Sequence, residues 1–287
     1  MKTVALPTGE AVSALGLGTW MMGESASVRD KEIAAIRFAI DQGYRLFDTA
    51  EMYGEGGAET VLGKALASAM RSNAIKREDL IVVSKVYPHR ANTRGVFAAC
   101  AKSRQRLGLD TIDIYLLHWR GFAPLEETVD AFEAMKANGA IRHWGVSNFD
   151  VDDLRELEAI ETARRRPACA TNQIYYALDE RGAEFSLFAC QRSLHMPTMA
   201  YCPLGRGALA KNKTLASLAE ARGVTAAQIA LAWVLRHPDV IAIPKAVDHK
   251  HLAENIAAAD IALSETELAK IDAAFKPPSK KEPLAMM

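Results

Sequence analysis

The chain has 287 residues, about half of them apolar and a quarter charged, and its 35 basic and 35 acidic residues cancel. That balance leaves no electrostatic footprint for nucleic acid or an anionic membrane surface. No apolar run approaches the roughly 20 residues of a spanning helix, and the opening MKTVALPTGE has no basic stretch followed by an apolar one, so a cytoplasmic chain is expected.

The chain opens with VALPTGEAVSALGLG, two short runs around Pro7-Thr8-Gly9, which suits a β-hairpin. Its second half, 14–18, reads as the first strand of a longer series. Short apolar runs follow at 44–48, 80–86, 112–118, 141–146, 168–174, 197–201 and 240–243, with the β-branched content of strands covered on both faces. Between them lie amphipathic helical stretches near 30–42, 58–71, 93–107, 125–138, 151–162, 183–194, 225–237 and 248–258. Eight strand–helix units without a linker or composition shift predict one domain over 1–287. The expected fold is an α/β class (β/α)₈ TIM barrel with an N-terminal hairpin and a short C-terminal tail. A doubly wound sheet is the alternative. The run Arg164-Arg165-Arg166-Pro167 falls at a predicted helix end, where cations suit the helix dipole. Cys100, Cys169, Cys190 and Cys202 form no Cys-x-x-Cys pair and have no histidine at ligand spacing, so they read as reduced thiols, with no metal site.

Within this pattern LFDTAEMYG, residues 46–54, poses a problem. An apolar strand ends in Asp48, and a carboxylate at the end of a buried strand is costly without a partner. A turn or helix cap is the ordinary explanation for one aspartate. Two further strands, however, also reach an ionisable residue: IVVSK at Lys85 and YLLH at His118. The residues two positions earlier, Leu46, Val83 and Leu116, share side-chain parity with the polar ones, so alternation points all three groups into the same interior. In a barrel the strand ends build the active site. Taken alone, His118 could be a core histidine and Lys85 could snorkel at the rim. Together with Tyr53 on the loop after Asp48, the acid, the lysine and the histidine can satisfy one another.

GYRLFDTAEMYG, IVVSKVYP and IYLLHW resemble motifs of the aldo-keto reductases, and WGVSNF, TNQI, YCPLGRG and IPK…HLAEN follow in that family's order. The likeness runs across essentially the whole chain and is nearest to bacterial members that reduce methylglyoxal and similar small aldehydes. It implies an NADPH-dependent carbonyl reductase on a barrel. Tyr53 is then the candidate proton donor, Lys85 the cation that lowers its pKa, Asp48 the group that holds the lysine, and His118 a hydrogen-bond partner of the substrate oxygen.

A Gly-x-Gly-x-x-Gly turn is missing; GLGTW, with Gly18 and Thr19, resembles the family's first barrel loop instead. The resemblance implies that Ser147, Asn148 and Gln173 bind the nicotinamide carboxamide and that Tyr201 stacks on the ring. Asp48 would border the ribose, and Pro203, Leu204 and Gly205 would lie along the pyrophosphate. Lys245, His251, Glu254 and Asn255 would meet the adenosine end. Ala246 and His251 stand where strong 2′-phosphate binders often carry Ser and Arg, which narrows the margin of NADPH over NADH, because imidazole lacks the arginine fork. Cys202 replaces the family's usual serine. Trp20 and Trp119 would wall a small pocket for the carbonyl substrate, since the loop after His118 and the C-terminal tail are short. Two other readings remain: a Schiff-base aldolase built on Lys85, and a nicotinamide-binding subunit or redox sensor without catalysis. A monomer is the default expectation.

Overall fold

An antiparallel hairpin opens the chain, β1 (Thr3–Ala5) paired with β2 (Ala11–Ser13). The computed structural model describes residues 2–164 and 169–286. Val4 and Val12, directly opposite each other, are buried. Gly9 takes φ +84° at the turn, a conformation that glycine adopts at little cost. Glu10, next to that turn, binds Arg142 at 2.7 Å and His143 at 2.8 Å, and so ties the hairpin to the start of a later barrel strand.

Eight parallel strands follow: β3 (Leu17–Gly18), β4 (Leu46–Asp48), β5 (Ile81–Val86), β6 (Ile112–Leu117), β7 (Ile141–Ser147), β8 (Cys169–Tyr175), β9 (Thr198–Tyr201) and β10 (Val240–Ile243). Their order in the sheet is their order in the chain. The first and last strands close on each other: Gly16 N donates to Ala242 O at 2.9 Å, Ala242 N to Ala14 O at 2.8 Å, and Gly18 N to Pro244 O at 3.1 Å. A Cβ on Gly18 would lie 2.7 Å from Ile243 O, so glycine is required where the seam closes. The fold is a (β/α)₈ barrel. The first residue of the expected sixth strand, Ala168, and the arginines 165 and 166 with Pro167 lie outside the described residues.

Around the strands lie α1 (Arg29–Asp41), α2 (Gly57–Arg71), α3 (Thr93–Leu107), α4 (Leu125–Ala137), α5 (Val151–Ala163), α6 (Leu187–Ser193), α7 (Lys213–Glu220), α8 (Ala226–Val234), α9 (His249–Ala257) and α10 (Glu265–Ala274). Local chemistry sets several of their starts. Asn92 caps α3 through Gly95 N, Asp248 caps α9 through Lys250 N and His251 N, and Thr225 with Gln228 forms a capping box on α8. Arg164 ends α5 and donates to Asp130 at 2.8 Å, a specific ion pair in addition to the dipole interaction.

Two helices add to the expected eight. α7 is short and buries Leu215, Leu218 and Ala219, under an Asn212 cap. α10 carries a Ser264/Glu267 capping box and buries Ile271, so the chain is helical before its short tail. The four cysteines are free thiols, Cys100 and Cys169 buried. Among the described residues no helix is long and apolar enough to cross a membrane.

Candidate active site

Asp48 closes β4, Lys85 lies near the end of β5, His118 follows β6, and Tyr53 is on the loop after β4. Leu46, Val83 and Leu116 are fully buried beneath them, as the parity required. Lys85 is 0% and Asp48 2% exposed, so an unpaired charge on either would be expensive. They are paired: Lys85 Nζ donates to Asp48 Oδ1 at 2.8 Å, to Thr49 O at 2.9 Å and to the Tyr53 hydroxyl at 3.1 Å. Three acceptors match the three protons of an ammonium, leaving no lone pair for a Schiff base. The second Asp48 oxygen accepts from Gln173 Nε2 at 2.7 Å. The His118 ring meets Tyr53 edge-on, with centroids 5.8 Å apart, and Trp119 at 4.9 Å.

Burial dominates the electrostatics. It pushes the Tyr53 phenol well above its ordinary value, and Asp48, Cys202 and Tyr201 add to the effect. The expectation that Lys85 would lower this pKa therefore does not hold; desolvation of the phenolate and the nearby carboxylate outweigh the lysine. Burial, helped by Lys85, holds His118 well below the usual histidine range. Tyr53 is thus a protonated phenol and His118 a neutral imidazole. Burial also lowers Lys85 and raises Asp48, each opposed by the charge of the other.

An inner cleft opens over this cluster, lined by Gly18, Trp20, Met52, Trp119, Asn148, Gln173, Tyr201, Cys202, Ile243 and Lys245 together with Asp48, Tyr53 and His118. It continues into a groove bounded by Pro203, Leu204, Arg206, His251, Glu254 and Asn255. Trp20, Cys202 and Lys245 border both. The inner part has a volume of about 90 Å³ and the outer about 420 Å³, so a long ligand must place most of its bulk outside the cluster.

Asn148 takes φ +58°, and both of its amide hydrogens are used while Oδ1 keeps a second lone pair. Its Nδ2 donates to His118 O and Ser147 Oγ, both at 3.1 Å, and its Oδ1 accepts from the Tyr201 hydroxyl at 2.9 Å. Because a carboxylate only accepts, Asp48 fixes the Gln173 amide with nitrogen toward it and leaves Oε1 as an acceptor. Three expected cofactor residues do not line the groove. The Thr19 hydroxyl donates to Asp48 O at 3.0 Å, and Ser147 Oγ donates to Gln173 O at 2.9 Å; both side chains are fully buried. Gly205, at φ +55°, backs onto the Asp179 carboxylate. These residues shape the walls from behind.

Met52, Ile243 and Arg206 were not expected. Met52 sits beside Tyr53 on the same loop, and Ile243 ends the last strand, so position alone could have found them. Arg206, at φ +56° between two glycines, lays its guanidinium 5.8 Å over the Trp20 ring. Its signal was the Gly-Arg-Gly run directly after a strand-end motif.

Comparison with known proteins agrees with this architecture. A profile of the Aldo/keto reductase family matches residues 14–276. "Methylglyoxal reductase YeaE" of Escherichia coli (strain K12) is 44% identical over 291 residues, covering 100% of this chain and 99% of that protein. "Glyoxal reductase" of Bacillus subtilis (strain 168) is 31% identical, covering 96% and 93%. A crystal structure of an aldo-keto reductase from Klebsiella pneumoniae in complex with NADPH superposes with a TM-score of 0.92 at 46% identity, covering 100% of this chain and 99% of that one. By profile, sequence and fold alike, the chain belongs to the aldo/keto reductase family.

Proposed function

We propose that this enzyme uses NADPH to reduce small aldehydes and ketoaldehydes, of the methylglyoxal and arylaldehyde kind, to alcohols, with Tyr53 donating the proton. The observation that carries the reading is the buried Lys85, within hydrogen-bond distance of both Asp48 and Tyr53 at the inner end of a long groove. The full-length likeness to a methylglyoxal reductase and to an NADPH complex supports it.

The residues present fit the cofactor. Arg206, Lys245 and His251 provide nitrogen groups along the groove for phosphates, while Leu204, Pro203 and Ala227 offer apolar walls. Tyr201 and Trp20 present aromatic faces nearer the cluster. Asn148 and Gln173 would hold the carboxamide end, the latter through Oε1, and Glu254 and Asn255 the adenosine end. When bound, NADPH supplies the hydride for the carbonyl carbon. Tyr53 gives its hydroxyl proton to the carbonyl oxygen, and the resulting phenolate accepts the Lys85 hydrogen bond more strongly than the phenol did. His118, neutral, offers a ring N–H to the same oxygen and orients it. Asp48 keeps Lys85 charged and aimed. NADH would bind more weakly, lacking the phosphate that Lys245 meets. Steady NADPH oxidation with methylglyoxal and a panel of aryl aldehydes tests the reading; no turnover of any of them would refute it.

The pKa directions fix a pH profile. Tyr53 must be protonated to donate, and its value lies well above 10.0, so protonation is lost only at strongly alkaline pH. His118 must be neutral, and its value lies well below 6.5, so neutrality is lost only in acid. The kcat/KM for reduction should therefore be flat between about pH 6.5 and 10, whereas alcohol oxidation, which needs the phenolate, should climb with pH. An alkaline limb near neutral pH in the reduction profile would contradict the raised Tyr53 value.

Trp119→Ala should raise KM for aromatic aldehydes several-fold, on the order of 1 kcal/mol of lost ring contact, and that for methylglyoxal less. The indole borders the inner cleft, and a three-carbon substrate cannot use its area. Equal effects on both substrates would make Trp119 a framework residue.

A further inference from the structure

Tyr175 is not among the expected site residues. It ends β8 half-buried and borders neither the inner cleft nor the outer groove. Its partner in the sheet is nevertheless Tyr201, directly in register on β9, so both side chains project from the same face. The two rings lie 5.7 Å apart at an interplanar angle of 16°, an offset stack. Tyr201 does border the cleft. Immediately after it the backbone turns through Cys202 at φ +49°, so the ring stands at the last residue of its strand. Two of its contacts orient it: the Tyr175 stack and the hydroxyl donated to Asn148 Oδ1 at 2.9 Å, with Asn148 in turn bonded to His118 O.

We propose that Tyr175 is a positioning residue for the cofactor: it backs the Tyr201 ring and holds it as a preformed platform for the nicotinamide. This rests on the reading of Tyr201 as that platform. The physical basis is preorganisation. A ring already confined between a stack and a hydroxyl tether loses little rotamer freedom when a ligand lies against it, whereas a ring freed on one side must be ordered at the moment of binding. The stack, not the Tyr175 hydroxyl, provides the confinement, so phenylalanine should serve as well as tyrosine.

Fluorescence titration of NADPH tests this with Tyr175→Phe, two variants that remove the ring (Tyr175→Leu and Tyr175→Gln, either sufficing if folded) and Tyr201→Ala, alone and combined. Removing the Tyr175 ring should weaken NADPH binding about 3- to 10-fold, the size of one aromatic stack expressed as affinity. Aldehyde KM at saturating NADPH should move much less. Tyr175→Phe should bind as wild type, and removal of the Tyr175 ring in the Tyr201→Ala background should add nothing. If Tyr201→Ala itself binds NADPH normally, the platform reading fails and this inference with it. If Tyr201→Ala weakens binding but the Tyr175 variants do not, this inference alone fails. Equal losses in both backgrounds, or no rescue by phenylalanine, would overturn it too, since Tyr175 would then act by a route other than the Tyr201 ring.

Discussion

Tyr53→Phe should lower kcat for carbonyl reduction by about 10²–10⁴-fold, the usual cost of losing a positioned general acid, and leave NADPH affinity nearly unchanged. The substitution removes one oxygen. Lys85 keeps two of its three acceptors, Asp48 Oδ1 and Thr49 O, so the buried ion pair stays neutralised and the barrel should stay folded. The ring remains to fill its place beside His118. What is lost is the proton source, and among the described residues Lys85 donates to no other hydroxyl; the neighbouring Thr49 Oγ1 is buried there without a hydrogen-bond partner. Stopped-flow or steady-state kinetics with methylglyoxal, alongside a cofactor titration, separates chemistry from binding. Activity within a few-fold of wild type would remove Tyr53 from the mechanism.

The barrel and the inner cluster were legible because they rest on short-range rules. Strand parity placed Asp48, Lys85 and His118 on one interior, and the cost of a buried lysine required a carboxylate close by; the structure brings the pair to 2.8 Å. Other features depend on distances along the chain that no local rule reads. Thr19 belongs to the same loop as Trp20, yet its hydroxyl turns back to Asp48 O while Trp20 faces the groove. Ser147 and Asn148 are adjacent, but only Asn148 reaches the cleft wall. The pairing of Arg206 with Trp20 spans most of the chain, and so does the seam that brings Gly18 to Lys245. The direction of the Tyr53 shift also depended on burial depth. A lysine next to a tyrosine suggests a lowered pKa, but full desolvation and the same aspartate that charges the lysine reverse the sign. α10 is a different case: its Ser264-x-x-Glu267 capping box is a local signal, and it stood in the sequence to be read.

Lys245→Met should weaken NADPH binding by about ten- to a hundredfold, from a charge-assisted contact of roughly 1.5–3 kcal/mol, and leave NADH nearly unaffected. The residue follows Ile243-Pro244 at the end of β10, and a parallel bridge to Gly18 holds its backbone at the barrel seam. Its side chain is exposed and borders both the inner cleft and the outer groove, whereas nearby Lys250 pairs with Glu254 at 3.7 Å. Methionine retains the length and apolar stem, so a change specific to NADPH isolates the charge. Because the site faces solvent, the contact should weaken as ionic strength rises, and the difference between lysine and methionine should shrink with added salt. His251→Arg should act in the opposite sense by adding a planar fork on the same groove wall that imidazole cannot offer. Asp248 should moderate this gain: its carboxylate caps α9 through Lys250 N and His251 N and so places a negative charge at the helix start beside His251. Titrating both dinucleotides against both variants at low and high salt decides the matter. Equal weakening of NADH and NADPH by Lys245→Met would make the lysine structural and take away the main support for a preference for NADPH.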